Sequence, residues 1–142
     1  MLTSELGTTM GFTPAQTVFE DRRLAGGYTS DLLSDVMGNA AADSVLVTIQ
    51  AHKNSVAVAS LVGIAAIVIC NDRALPADMI EAAASEGIAI FRTPLSQFEV
   101  SGRLYPALGH AGAAGGTAGG TASGAASGTA GGTAGGTAGG RA

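Results

Sequence analysis

Three short runs of uninterrupted apolar residues constrain this chain more than anything else in it. Val45–Ile49, Ala65–Cys70 and Ile88–Phe91 are rich in Val and Ile and contain no charge. A strand with one wet face alternates apolar and polar residues, whereas a continuous run is buried on both faces. That is the pattern of parallel sheets. Helical segments separate the runs. Ser55–Val62 lies between a proposed Asn54 cap and a Gly63 stop. Residues 77–86 follow Pro76, carry Asp78 and Glu81 early and end at Gly87. Strand and helix alternating through short loops predict an open three-layer α/β domain with a mainly parallel sheet.

The flanks read less sharply. Thr3–Met10 is expected to form a short helix and Thr17–Phe19 a short strand, with Asp21–Asp31 a turn-rich connection. Leu32, Leu33, Val36, Met37, Ala40 and Ala41 recur at helical spacing, so 32–41 is expected as an amphipathic helix capped by Ser30 or Asp31. Thr93-Pro94 is expected to open a last helix with Leu95, Phe98, Gly102, Tyr105 and Leu108 on its buried face.

The domain is bounded by a change in composition. Of 142 residues, 109–142 hold 14 of the 22 Gly, with His110 and Arg141 the only ionisable side chains. A four-residue repeat, [Ala/Thr]-Ala-[Gly/Ser]-Gly, runs from Ala113 to Gly140. Such residues bury almost nothing and lose much entropy on ordering, so 109–142 is expected as a disordered tail. Residues 1–108 keep all 11 acidic residues and six of the seven basic ones, for a net charge of −5. An acidic domain with few aromatic residues is a poor match for a nucleic-acid backbone.

Several chemistries lack their residues. The single lysine, Lys53, has no Gly-rich loop before it, so there is no P-loop, and no G-x-G-x-x-G or G-x-S-x-G is present. Two histidines and one cysteine make a His/Cys zinc site unexpected, and no cofactor is expected. One cysteine and an N-terminus without a basic and apolar leader point to the cytoplasm. Asn54–Asn71 is an 18-residue stretch without charge, but a helix, a turn and a strand explain it better than a membrane span.

Ligands of open parallel sheets bind beyond the carboxyl ends of the strands. Those ends carry Gln50, His52 and Asn54, then Asn71 and Arg73, then Thr93. The Gly26-Gly27-Tyr28 segment adds Tyr28 and Asp31. These eight residues are the expected ligand-binding set, suited to a small anion because helix N-termini and Arg73 are attractive to negative charge. A protonated His52 would strengthen that attraction. No catalytic residue is expected: His52 has no visible nucleophile to serve, and Cys70 reads as a buried small hydrophobe.

Three blocks in order carry a resemblance. They are Gly26-Gly27-Tyr28-x-x-Asp31-Leu32-Leu33-Ser34-Asp35-Val36-Met37, then Thr48-Ile49-Gln50-x-His52-x-Asn54-x-Val56-Ala57-Val58-Ala59, then Thr93-Pro94-Leu95-Ser96-x-Phe98-Glu99-x-x-Gly102-Arg103-Leu104. Over about residues 20–106 the chain resembles small stand-alone DRTGG-domain proteins. Asn71-Asp72-Arg73 stands where that family has a Thr-Gly-Gly turn, and Gln50-Ala51-His52 stands near its Asp-Arg. The resemblance implies a fold similar to the N-terminal domain of HPr kinase/phosphorylase. It implies a regulatory, dimer-forming module that contributes to adenine-nucleotide sensing or docks on a partner enzyme. Small relatives are often labelled serine kinases, and some sit beside iron-hydrogenase genes. The resemblance thus leaves a kinase and a metalloenzyme assembly factor as alternatives, the first disfavoured by the missing P-loop.

Overall fold

The computed structural model describes residues 1–110. Met1–Leu108 forms one compact unit. The expected tail lies, from residue 111 onward, outside the described residues. Five strands form one sheet in the order β1-β5-β4-β3-β2. They are β1 Thr13–Gln16, β2 Gly26–Thr29, β3 Ser44–Thr48, β4 Ala66–Ile69 and β5 Ala89–Arg92. β2, β3, β4 and β5 are mutually parallel, while β1 pairs antiparallel with β5. The helices are α1 Glu5–Thr8, α2 Leu33–Asn39, α3 Lys53–Val62, α4 Ala77–Glu86 and α5 Gln97–Ala107.

The apolar runs behave as their composition requires. Successive side chains of a strand point to opposite faces, and here both faces are dry. Leu46, Ile67 and Ile90 share one register row and pack with Val36, Val56, Ala59, Met79 and Ala83 of α2, α3 and α4. Val47, Val68 and Phe91 share the next row and pack on the other face with Leu6, Val100 and Leu104 of α1 and α5. The result is the expected α/β three-layer arrangement. The uncharged stretch after Asn54 is α3, a turn at Gly63 and β4. Among the described residues no helix is long and apolar enough to cross a membrane. Gly63 closes α3 with φ 89°, a left-handed conformation that glycine adopts without a Cβ penalty.

The flanking expectations need correction. Thr17–Phe19 is not a strand; the strand is Thr13–Gln16, immediately before it. There Gln16, nearly buried, turns its amide into the sheet: Nε2 donates to Ile88 O at 2.7 Å and Val18 O at 3.1 Å, and Oε1 accepts from Val18 N–H at 2.6 Å. Satisfying these backbone groups through a side chain stops the strand where its β-branched residues would have continued it. The turn-rich reading of Asp21–Asp31 missed β2, because Gly26-Gly27 has low strand propensity and is held by pairing to β3. Helix α2 is shorter than expected, and neither Ser30 nor Asp31 caps it; Leu32 is at the cap position without a side-chain bond.

Helix α5 starts later and faces differently than expected. Ser96 and Glu99 form a reciprocal capping box, with Ser96 Oγ accepting from Glu99 N–H at 3.1 Å. Val100 and Leu104 form its buried side. Phe98, expected inside, is 87% exposed, and Tyr105 is 51% exposed. The apolar spacing through Phe98, Gly102 and Tyr105 was real but belonged to an outward row.

Candidate functional site

Parallel strands bring their carboxyl ends to one rim, and in this chain Asp31 organises it. Asp31 follows β2. Its Oδ1 accepts from Thr48 Oγ1 at 2.9 Å, Ile49 N–H at 2.9 Å and Gln97 Nε2 at 3.0 Å. Its main-chain oxygen accepts from Gln50 Nε2 at 3.0 Å. One half-buried carboxylate thus joins the ends of β2 and β3 to the first turn of α5. Bonds from neutral donors to a carboxylate are stronger than neutral pairs, and Oδ2 takes part in none of these.

The loop after β3 is rigid for local reasons. Thr48 Oγ1 accepts from Gln50 N–H at 3.1 Å while donating to Asp31. Fully buried Ser55 donates through Oγ to Gln50 O at 2.7 Å. The helix cap is His52, not Asn54: His52 Nδ1 accepts the Asn54 N–H at 3.0 Å. A protonated imidazole has no lone pair left on Nδ1, so the cap belongs to the neutral ring.

The loop after β4 is a tight turn. Asn71 and Asp72 both have positive φ, 59° and 52°, and Arg73 N–H donates to Cys70 O at 3.4 Å. That is the geometry of a type I′ turn, for which Asn and Asp are among the tolerated non-glycine residues. The turn is sewn to the loop after β5. Asn71 N–H donates to Leu95 O and Asp72 N–H to Thr93 O, both at 2.9 Å. Arg92 donates through one terminal nitrogen to Asp72 O at 2.9 Å, with Nε 3.3 Å from Asp72 Oδ1. Those amides are consumed by the fold and do not form an anion cradle.

Of the eight expected residues, Asp31 and Gln50 are brought into direct contact. His52, Asn54, Asn71 and Arg73 lie exposed on the same rim. Thr93 is buried and is a turn former, its Oγ1 accepting from Leu95 N–H at 3.2 Å. Tyr28 points elsewhere: it shares the face of α2–α4 and donates through its hydroxyl to Asp35 Oδ2 at 2.8 Å. Burial first, then that bond and the Asp35 charge, push the Tyr28 hydroxyl up to about 12. Thr48 and Gln97 were missed. Gln97 lies 66 residues from Asp31, and nothing local in its sequence signals the contact. Cys70 is fully buried; burial, with Asp31 adding negative charge nearby, pushes its thiol up to about 11. Among the described residues no group of three or more His, Cys, Asp or Glu could hold a metal ion.

No family model and no curated protein matches the chain. A solved structure does: the CBS and DRTGG domains of the regulatory region of Clostridium perfringens pyrophosphatase, complexed with the activator diadenosine tetraphosphate. The TM-score is 0.56 at 11% sequence identity, covering 72% of this chain and 44% of that one. The match thus spans less than half of that chain's length. At this identity the likeness is one of fold, and it agrees in kind with the DRTGG resemblance of the sequence.

Proposed function

We propose that this chain is a non-catalytic regulatory module that binds a small anionic ligand, foremost an adenine nucleotide, at the carboxyl-end rim. The observation that carries the reading is the Asp31 assembly. It fixes two strand ends and a helix into one polar rim on which Gln50, His52, Asn54 and Arg73 stand exposed. Arg73 supplies a phosphate contact, α3 adds the partial positive charge of its N-terminus, and the side-chain amides of Gln50 and Asn54 offer donors and acceptors to a base or ribose. The nucleotide class is supported by the activator in the similar structure's name.

A binding role is favoured over catalysis by the state of the two reactive side chains. His52 spends Nδ1 on the helix cap, and the Cys70 thiol, pushed up to about 11, stays protonated near neutrality. Calorimetric titration of the full chain with AMP, ATP and diadenosine tetraphosphate tests the reading. Saturable binding of at least one of them is expected, with a rise in melting temperature by linkage. Arg73→Ala should weaken it by about tenfold or more, as loss of a charged hydrogen bond does. No binding by any of the three, with inorganic phosphate equally silent, would overturn the proposal.

A further inference from the structure

Two glutamine amides meet Asp31, and both are held by the nitrogen end. Gln50 Nε2 donates to Asp31 O and Gln97 Nε2 donates to Asp31 Oδ1, each at 3.0 Å. A free side-chain amide can turn over and offer either end to a ligand. These two cannot, because a main-chain carbonyl and a carboxylate only accept. Turning either amide would set oxygen against oxygen. At Gln50 the main chain is fixed as well. Its N–H donates to Thr48 Oγ1 at 3.1 Å, and its carbonyl accepts from Ser55 Oγ at 2.7 Å and His52 N–H at 3.0 Å. Gln50 is exposed, and among the described residues its Oε1 accepts no hydrogen bond. The rim therefore presents an acceptor at one fixed end of the Gln50 amide, and the remaining Nε2 proton at the other.

Charge along the rim is ordered too. The strand order places Asp31 after β2, Gln50 after β3 and Arg73 after β4. β2 and β4 lie two strand spacings apart, about 10 Å, the scale of a mononucleotide from base to phosphate. Arg92 is matched by Asp72 and Lys53 by Asp78, whereas exposed Arg73 has no ion pair among the described residues. A phosphate is drawn to Arg73 and repelled by the Asp31 carboxylate. A nucleotide lying along the rim thus brings its base to Gln50.

We propose that Gln50 is the residue by which this rim selects a 6-amino purine over a 6-oxo purine, an inference that rests on the nucleotide reading above. Adenine donates through its exocyclic amino group and accepts at the neighbouring ring nitrogen, the pattern a glutamine amide meets with both of its ends. Gln50 Oε1 accepts from the amino group, and the remaining Nε2 proton goes to the ring nitrogen. Hypoxanthine in the same pose puts a carbonyl oxygen against Oε1. Relieving that clash means turning the amide over and losing its bond to Asp31. A polar group held in one orientation rejects the ligand of opposite pattern more strongly than a free one does.

Calorimetric titration of the full chain with AMP and IMP tests this, because the two differ only at position 6 of the base. AMP is expected to bind about tenfold more tightly, the scale of one well-placed amide pairing. Gln50→Leu should remove most of that preference by weakening AMP, with IMP nearly unchanged. Gln50 is exposed and its side chain makes a single bond, so the variant keeps the fold. Arg73→Ala should weaken both nucleotides alike and preserve their ratio. Equal affinities in the wild type, a preference for IMP, or a preference for AMP that survives Gln50→Leu would each overturn this assignment and leave the nucleotide reading standing. Failure of both nucleotides to bind would overturn the reading itself, and the assignment with it.

Discussion

The edges β1 and β2 show two ways of finishing one sheet. Each is tied to its neighbour by a single polar side chain. At β1 the tie is Gln16, buried, bonding the backbone at Ile88 and Val18. At β2 it is Asp31, half-buried, bonding Thr48, Ile49 and Gln97. The amide can be buried because it is neutral and all its bonds are met; the carboxylate stays half-buried, since burying its charge fully would cost more. The β1 edge is thereby sealed by backbone chemistry, whereas the β2 edge stays open and adjoins the candidate ligand rim. On the proposed reading, stability and ligand binding are thus segregated to opposite sides of one small domain.

The largest expected effect lies at the sealed edge. Gln16→Ala removes three bonds and leaves the buried Ile88 carbonyl without its amide donor, while the Val18 groups turn to water, for a loss of about 3 kcal/mol. Urea unfolding measures it, and a loss under about 1 kcal/mol would mean that water replaces the amide. Asp31→Ala should cost somewhat less, about 2 kcal/mol, because its surroundings are partly wet. It should also loosen the first turn of α5, seen as faster exchange at Glu99 and Val100. If Asp31→Ala proves the more damaging, the rim and not the β1 staple anchors the sheet.

This contrast also marks how far the sequence could be read. β3, β4, β5 and α4 were legible to within a residue because double burial and helix caps leave local signals. β2 was invisible because Gly26-Gly27 forms a strand only through tertiary pairing with Ser44 and Val45. At the rim, Gln50 was named from topology, and Asp31 from the conspicuous Gly26-Gly27-Tyr28 segment whose strand went unread. Gln97 was not, because its role depends on where α5 lands. The α5 face was misread for a related reason: two apolar rows share that helix, and Val100 and Leu104 outrank Phe98 and Tyr105 only once the sheet beneath is known.

Alkaline titration should sharpen the comparison, because both raised groups lie away from β1. A thiol or phenol whose pKa is higher in the folded state holds its proton more tightly there than in the unfolded chain. Its contribution is complete below the unfolded value and is lost as pH rises toward the folded one. For Cys70 that window runs from its ordinary value near 9 up to about 11, and for Tyr28 from 10 up to about 12. Stability should therefore fall steadily above pH 9. Tyr28→Phe should cost about 1 kcal/mol at neutral pH, the worth of its bond to Asp35, and remove the upper part of that decline. An unchanged alkaline limb would mean that Tyr28 is not the group responsible.

The smallest effect on stability is expected from giving β2 the protection that β1 already has. Gly26 has a backbone conformation open to other residues and nothing within 4 Å of where its Cβ would be. Gly26→Lys therefore adds a charge without a clash. The restricted unfolded chain offsets the modest strand propensity of lysine, so the melting transition should move by no more than about 0.5 kcal/mol in stability. Urea unfolding of Gly26→Lys beside the wild type measures it. If stability falls by more than about 1 kcal/mol, Gly26 is required by the fold itself. The openness of the β2 edge would then be a by-product of folding and not a prepared surface.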